Sequence, residues 1–123
     1  MTLSPAEARI IRAMLIKQYG ADTALLGQVS ALGFDTRHLT GTGYYEIFQK
    51  PEGLPPADIV NNEITEYLTT SLPPPCDSVG FTLFIRDGYL SSFEGYTFGD
   101  VRWPDEPMED WLFLNAARAP ELG

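Results

Sequence analysis

Asp87-Gly88 stands between two β-prone runs, Val79 to Arg86 and Tyr89 to Thr97. An Asp-Gly pair in that setting supplies the two positive-φ positions of a tight turn, which commits this part of the chain to an antiparallel hairpin. Counting outward from the turn pairs Arg86 with Tyr89, Phe84 with Ser91 and Thr82 with Phe93. The opposite face carries Phe81, Leu83, Ile85, Leu90, Ser92, Glu94, Tyr96 and Phe98; it is the more apolar and is expected to point inward. Glu94 then falls in an inward row, unless a bulge at Gly95 turns it out.

Thr40-Gly41-Thr42-Gly43 forms a second reversal, between expected strands at Val29 to Leu39 and Gly43 to Gln49. With Gly41-Thr42 as the loop, Arg37 faces Glu46 and His38 faces Tyr45. The chain ahead of it reads as helix. Ser4-Pro5-Ala6-Glu7 has the form of a capping box with proline at the first helical position, and Gly20 is a natural stop. Ile10, Ile11, Met14 and Leu15 make an apolar stripe over about four turns. A short helical turn is expected around Asp22 to Leu26. Lys50 to Pro56 reads as a loop, Asp58 to Leu68 as a strand on its β-branched content, and Leu72 to Pro75 as a stiff connector. A last strand or one-turn helix is expected near Trp111 to Asn115. Together these elements predict a single α+β domain over 1–123, an N-terminal amphipathic helix packed on one face of an antiparallel meander sheet of four to six strands.

Charge narrows the function classes. Residues 1–50 hold five basic and four acidic side chains, whereas residues 51–123 hold three basic and thirteen acidic, so the second half carries the negative field. Such a field repels nucleic acid and anionic lipid and attracts basic proteins. No apolar run approaches the ~18 residues of a membrane span. The start of the chain lacks a leader pattern and Cys76 is the sole cysteine, which together point to a cytoplasmic protein with no disulfide. The single histidine, His38, excludes a two-histidine metal centre, and no cofactor motif is present.

Three readings of function stay open. In the first, the chain is a non-catalytic binding domain, inhibitor-like or immunity-like, for a basic protein partner. Its contact patch is the acidic, aromatic tail, with Trp103, Asp105, Glu106, Glu109, Asp110 and Trp111. In the second, it is a small hydrolase or lyase in which Glu94 acts as general acid or base with Arg37 or His38 beside it, possible carboxylate partners being Glu46 and Asp35. In the third, it is a homodimer joined through an unpaired sheet edge. An inward Glu94 needs a cation or several donors in any of them.

Thr40-Gly41-Thr42-Gly43-Tyr44-Tyr45 and the run from Phe84 to Tyr96 resemble motifs of small bacterial proteins of uncharacterised function, which pair a T-G-x-G-aromatic-aromatic turn with a D-G-x-L-S-x-x-E strand. The resemblance spans roughly residues 29–104 and implies a bacterial cytoplasmic α+β domain. It implies no activity, cofactor or catalytic residue.

Overall fold

The computed structural model describes residues 1–114. Helix α1 runs over Pro5–Tyr19 and α2 over Ala24–Val29; the strands are β1 (Phe34–Leu39), β2 (Gly43–Phe48), β3 (Asn61–Thr69), β4 (Ser78–Arg86) and β5 (Tyr89–Thr97). A 3-10 turn at Met108–Asp110 follows. The capping box at α1 forms in both directions, Ser4 accepting from the Glu7 amide and Glu7 accepting from the Ser4 amide. The second helix is longer than expected and takes up Val29, so β1 begins only at Phe34.

All five strands pair antiparallel in the order β1-β2-β5-β4-β3, which fits the α+β expectation. The order is not that of a simple meander. The β1–β2 hairpin joins the β3-β4-β5 meander through β2 and β5, so the connection after β2 carries the chain to the far edge. One face of the sheet packs on the helices. Its core holds Ile10, Ile11, Met14 and Leu15 of α1 with Phe81, Leu83, Leu90 and Phe93 of the central strands, all nearly inaccessible.

The first hairpin has the register its loop implies: Arg37 opposite Glu46, His38 opposite Tyr45. The second turns at Asp87 and Gly88, with φ of 52° and 81°. Its register then shifts, because Ile85 pairs with Leu90 but Phe84 pairs with Ser92. Ser91 is the extra residue of a bulge. Beyond it every side chain of β5 changes face. Phe93 and Gly95 point to the core, and Ser92, Glu94 and Tyr96 lie on the outer face in the rows of Phe84, Thr82 and Gly80. The inward Glu94 expected from an unbroken ladder is thus overturned, and the bulge responsible lies at Ser91 rather than Gly95.

Candidate functional site

Beneath the end of the sheet where α1 begins, two carboxylates and one guanidinium meet. Glu7 comes from the first turn of α1, Arg37 from β1 and Glu46 from β2. Arg37 Nη2 donates to Glu7 Oε1 at 2.9 Å and lies 2.8 Å from Glu46 Oε2, while its Nε donates to that same Oε2 at 2.9 Å. Tyr44 donates its hydroxyl to Glu7 Oε2 at 2.9 Å, and its ring lies under the guanidinium, 5.1 Å from ring centre to Arg37 Cζ. Both carboxylates are fully buried, whereas the Arg37 side chain is 37% exposed. One arginine therefore bridges two buried acids and still reaches solvent.

Two acids so close cannot both ionise cheaply. Burial, with a hydrogen bond to Glu7 and Glu7's charge, raises the Glu46 carboxyl from 4.5 to about 8 despite the opposing effect of Arg37. The inaccessible Glu46 Oε1 has no conventional donor. A proton on Glu46, shared towards Glu7, accounts for both observations. Burial and the charge of Glu7 hold the Tyr44 phenol well above its ordinary value, so it remains a donor.

The acidic loop after β5 folds over this cluster. The Trp103 amide donates to the Gly41 carbonyl at 2.9 Å, tying the loop to the β1–β2 turn. The Trp103 ring meets Tyr44 edge to face at 5.3 Å and leans on Trp111 at 5.4 Å. This close approach depends on Gly95, where a Cβ would lie 2.8 Å from the Tyr44 ring and 3.0 Å from both the Phe81 and Trp103 rings. Gly95→Ala is expected to push these rings apart, lowering stability by about 1–3 kcal/mol in denaturant titrations and altering Trp fluorescence.

Between the loop and the cluster lies a cavity of about 240 Å³. Trp103, Pro104, Pro107, Met108 and Leu39 give it apolar walls; Arg37, Tyr44 and Ser4 also line it, with the acidic residues Asp105, Glu106 and Glu109. Glu109 is held in place by the Ala6 amide, 3.4 Å from its Oε1. Burial opposes its ionisation, but the amides of Glu109 and Ala6, the Ser4 hydroxyl and the charge of Arg37 prevail and keep its carboxyl below the usual range. The Arg102–Asp105 pair at 3.3 Å is almost wholly exposed, so it contributes little.

Of the expected contact residues, Trp103, Asp105, Glu106 and Glu109 thus gather at one cavity. Asp110 is exposed on the 3-10 turn and does not line it. Trp111 is buried, its indole N–H donating to the Glu106 carbonyl at 3.0 Å, so it braces the loop from beneath. Asn115 lies outside the described residues. The grouping of Glu94 with Arg37 or His38 does not form. Arg37 faces the helices, Glu94 the opposite side of the sheet, and His38 is exposed and stacked on Tyr45 at 4.6 Å. Asp35 accepts from Gln49 at 2.7 Å, away from the cluster. Among the described residues no group of His, Cys, Asp and Glu could hold a metal ion, and no helix is long and apolar enough to cross a membrane.

Sequence reasoning assigned Glu7 to the helix cap alone. The overlooked signal is its position: Glu7 lies three and four residues before Ile10 and Ile11, on the buried stripe of α1. The chain matches no family model. Nor does any curated protein or solved structure match the chain.

Proposed function

We propose that this chain is a protein-binding domain for a basic partner, with the cavity under the Trp103–Glu109 loop receiving one lysine or arginine side chain. The observation that carries the reading is the pairing of apolar walls with three acidic residues around a space of about 240 Å³. That volume suits one long side chain and falls short of the ~300–1,000 Å³ typical of small-molecule sites. A lysine or arginine stem packs against Trp103 and Met108 while its charged head meets Glu106 and Glu109. Arg37 does not repel such a guest strongly, because Glu7 and Glu46 already hold its guanidinium.

An inhibitor-like or immunity-like role follows from this chemistry, since a charged pocket on an acidic surface captures basic proteins quickly and with a steep salt dependence. The test is calorimetric titration with a lysine-rich peptide at several salt concentrations. Affinity is expected to fall steadily as salt rises, and to drop at least about tenfold in the Asp105→Asn/Glu106→Gln/Glu109→Gln variant. Affinity indifferent to both salt and these substitutions would sink the proposal.

A further inference from the structure

The cavity under the Trp103–Glu109 loop is not lined by acids alone. Arg37 belongs to its wall and stays partly exposed, although both of its partner acids are buried. Nε and Nη2 of the guanidinium are taken up by Glu46 and Glu7. Nη1, which carries two further donors, has no acceptor among the described residues. The Tyr44 ring backs the guanidinium, and the Tyr44 hydroxyl is committed to Glu7. Arg37 is thus fixed in place from the core and still has donor capacity to spare where it meets the cavity.

The acids of the same cavity are held separately. Glu109 is anchored by the Ala6 amide and the Ser4 hydroxyl; the charge of Arg37 helps to keep it ionised, yet the two form no ion pair. Asp105 pairs with the exposed Arg102, and Glu106 belongs to no ion pair among the described residues. The lining is therefore dipolar, with acids on the loop and a guanidinium on β1. A guest that brings only a cation meets the acids and leaves Nη1 unfilled. A guest that brings a cation and a carboxylate lets opposite charges alternate from Arg37 to the loop.

We infer that the cavity takes the last residue of its partner, a C-terminal lysine or arginine, whose α-carboxylate meets Arg37 Nη1 while its side chain meets Glu106 and Glu109. The inference rests on the reading of the chain as a binder of a basic protein, and adds which residue of that protein enters. A space of about 240 Å³ favours a chain end, because an internal segment must both enter and leave it. In a terminal residue the cation and the carboxylate belong to one amino acid and arrive together. Terminal carboxylates are a recurring handle for peptide recognition. An internal lysine offers the cation alone and forgoes the contact with Arg37.

The experiment compares two N-acetylated glycine–serine peptides that each end in a single lysine, one with a free carboxylate and one with a terminal amide. Both are titrated calorimetrically into the full-length protein, and the Trp103 indole resonance locates the site. The protein is unchanged between the two titrations, so folding does not enter the comparison. The amide carries more positive charge, so attraction to an acidic surface alone favours it. The expected result is the reverse: the free acid binds at least about tenfold more tightly, and Asp105→Asn/Glu106→Gln/Glu109→Gln weakens it by a similar factor. An amide that binds as well as the free acid, with both weakened in that variant, would overturn the terminal residue and leave the cationic guest standing. So would the failure of both peptides where a lysine-rich peptide binds. A preference for the free acid that survives undiminished in the variant would remove the cationic side chain from the site, and both readings with it. Free lysine that binds as tightly as the free-acid peptide would make the guest a small molecule and overturn the protein partner as well.

Discussion

Replacing Arg37 with methionine is expected to lower stability by roughly 3 kcal/mol, at the low end of the cost of breaking a buried pair because the guanidinium is partly exposed. For a domain of this size that corresponds to a fall in Tm of roughly 10 °C. The cost arises mainly in what is left behind. Methionine fills much of the space, but the fully buried Glu7 Oε1 and Glu46 Oε2 lose their cation. Lysine at the same position keeps a charge but cannot reproduce the planar fork that contacts both acids, so Arg37→Lys should fall between wild type and Arg37→Met. Adding Glu7→Gln to Arg37→Met should recover part of the loss, since a stranded carboxylate becomes a neutral amide. Thermal melts of these proteins and of Glu7→Gln alone decide it. Additive losses would mean that Arg37 and Glu7 are not coupled.

The second large effect is on pH dependence. Glu46 in the folded protein keeps its proton up to about pH 8, whereas in the unfolded chain it releases it near 4.5. The folded state thus binds more protons across that window. The group's contribution to stability is complete below 4.5 and is lost as pH rises through about 8. Within the window the slope approaches about 1.4 kcal/mol per pH unit. Denaturant midpoints of the wild type should therefore fall between pH 5 and 8 relative to Glu46→Gln, whose amide cannot ionise. Glu94, also raised, contributes a slope of the same sign, which is why the comparison is with the Glu46 variant rather than with a flat line. Parallel profiles for the two proteins would show that no proton is shared between Glu7 and Glu46.

Local chemistry made much of this fold legible. Asp87-Gly88, the Gly41-Thr42 loop and the Ser4–Glu7 box each dictate a conformation over a few residues, and through the first hairpin they placed Arg37 against Glu46. What stayed hidden depends on contacts distant in sequence. Nothing around Ser91 marks a bulge, because no glycine or proline stands there; the extra residue is accommodated where the Gln28 side chain accepts from the Leu90 amide at 2.9 Å and donates to the Gly88 carbonyl at 3.0 Å. That single insertion moved Glu94 to the other face and ended its association with Arg37. The strand order was equally illegible, since β5 meets β2 only after the chain has crossed to the far edge. The cavity needs the loop at Trp103 to return to Gly41, a contact across 62 positions of sequence that no periodicity signals.

The claim that matters most is that a cationic side chain enters under the Trp103 loop, and the Trp103 indole N–H resonance observes it directly. On titration of a lysine-rich peptide at low salt, this resonance should shift and saturate. The shift should collapse at high salt and in Asp105→Asn/Glu106→Gln/Glu109→Gln. A Trp103 resonance that stays still while the peptide binds, or that moves equally in the neutralised variant, would contradict the account.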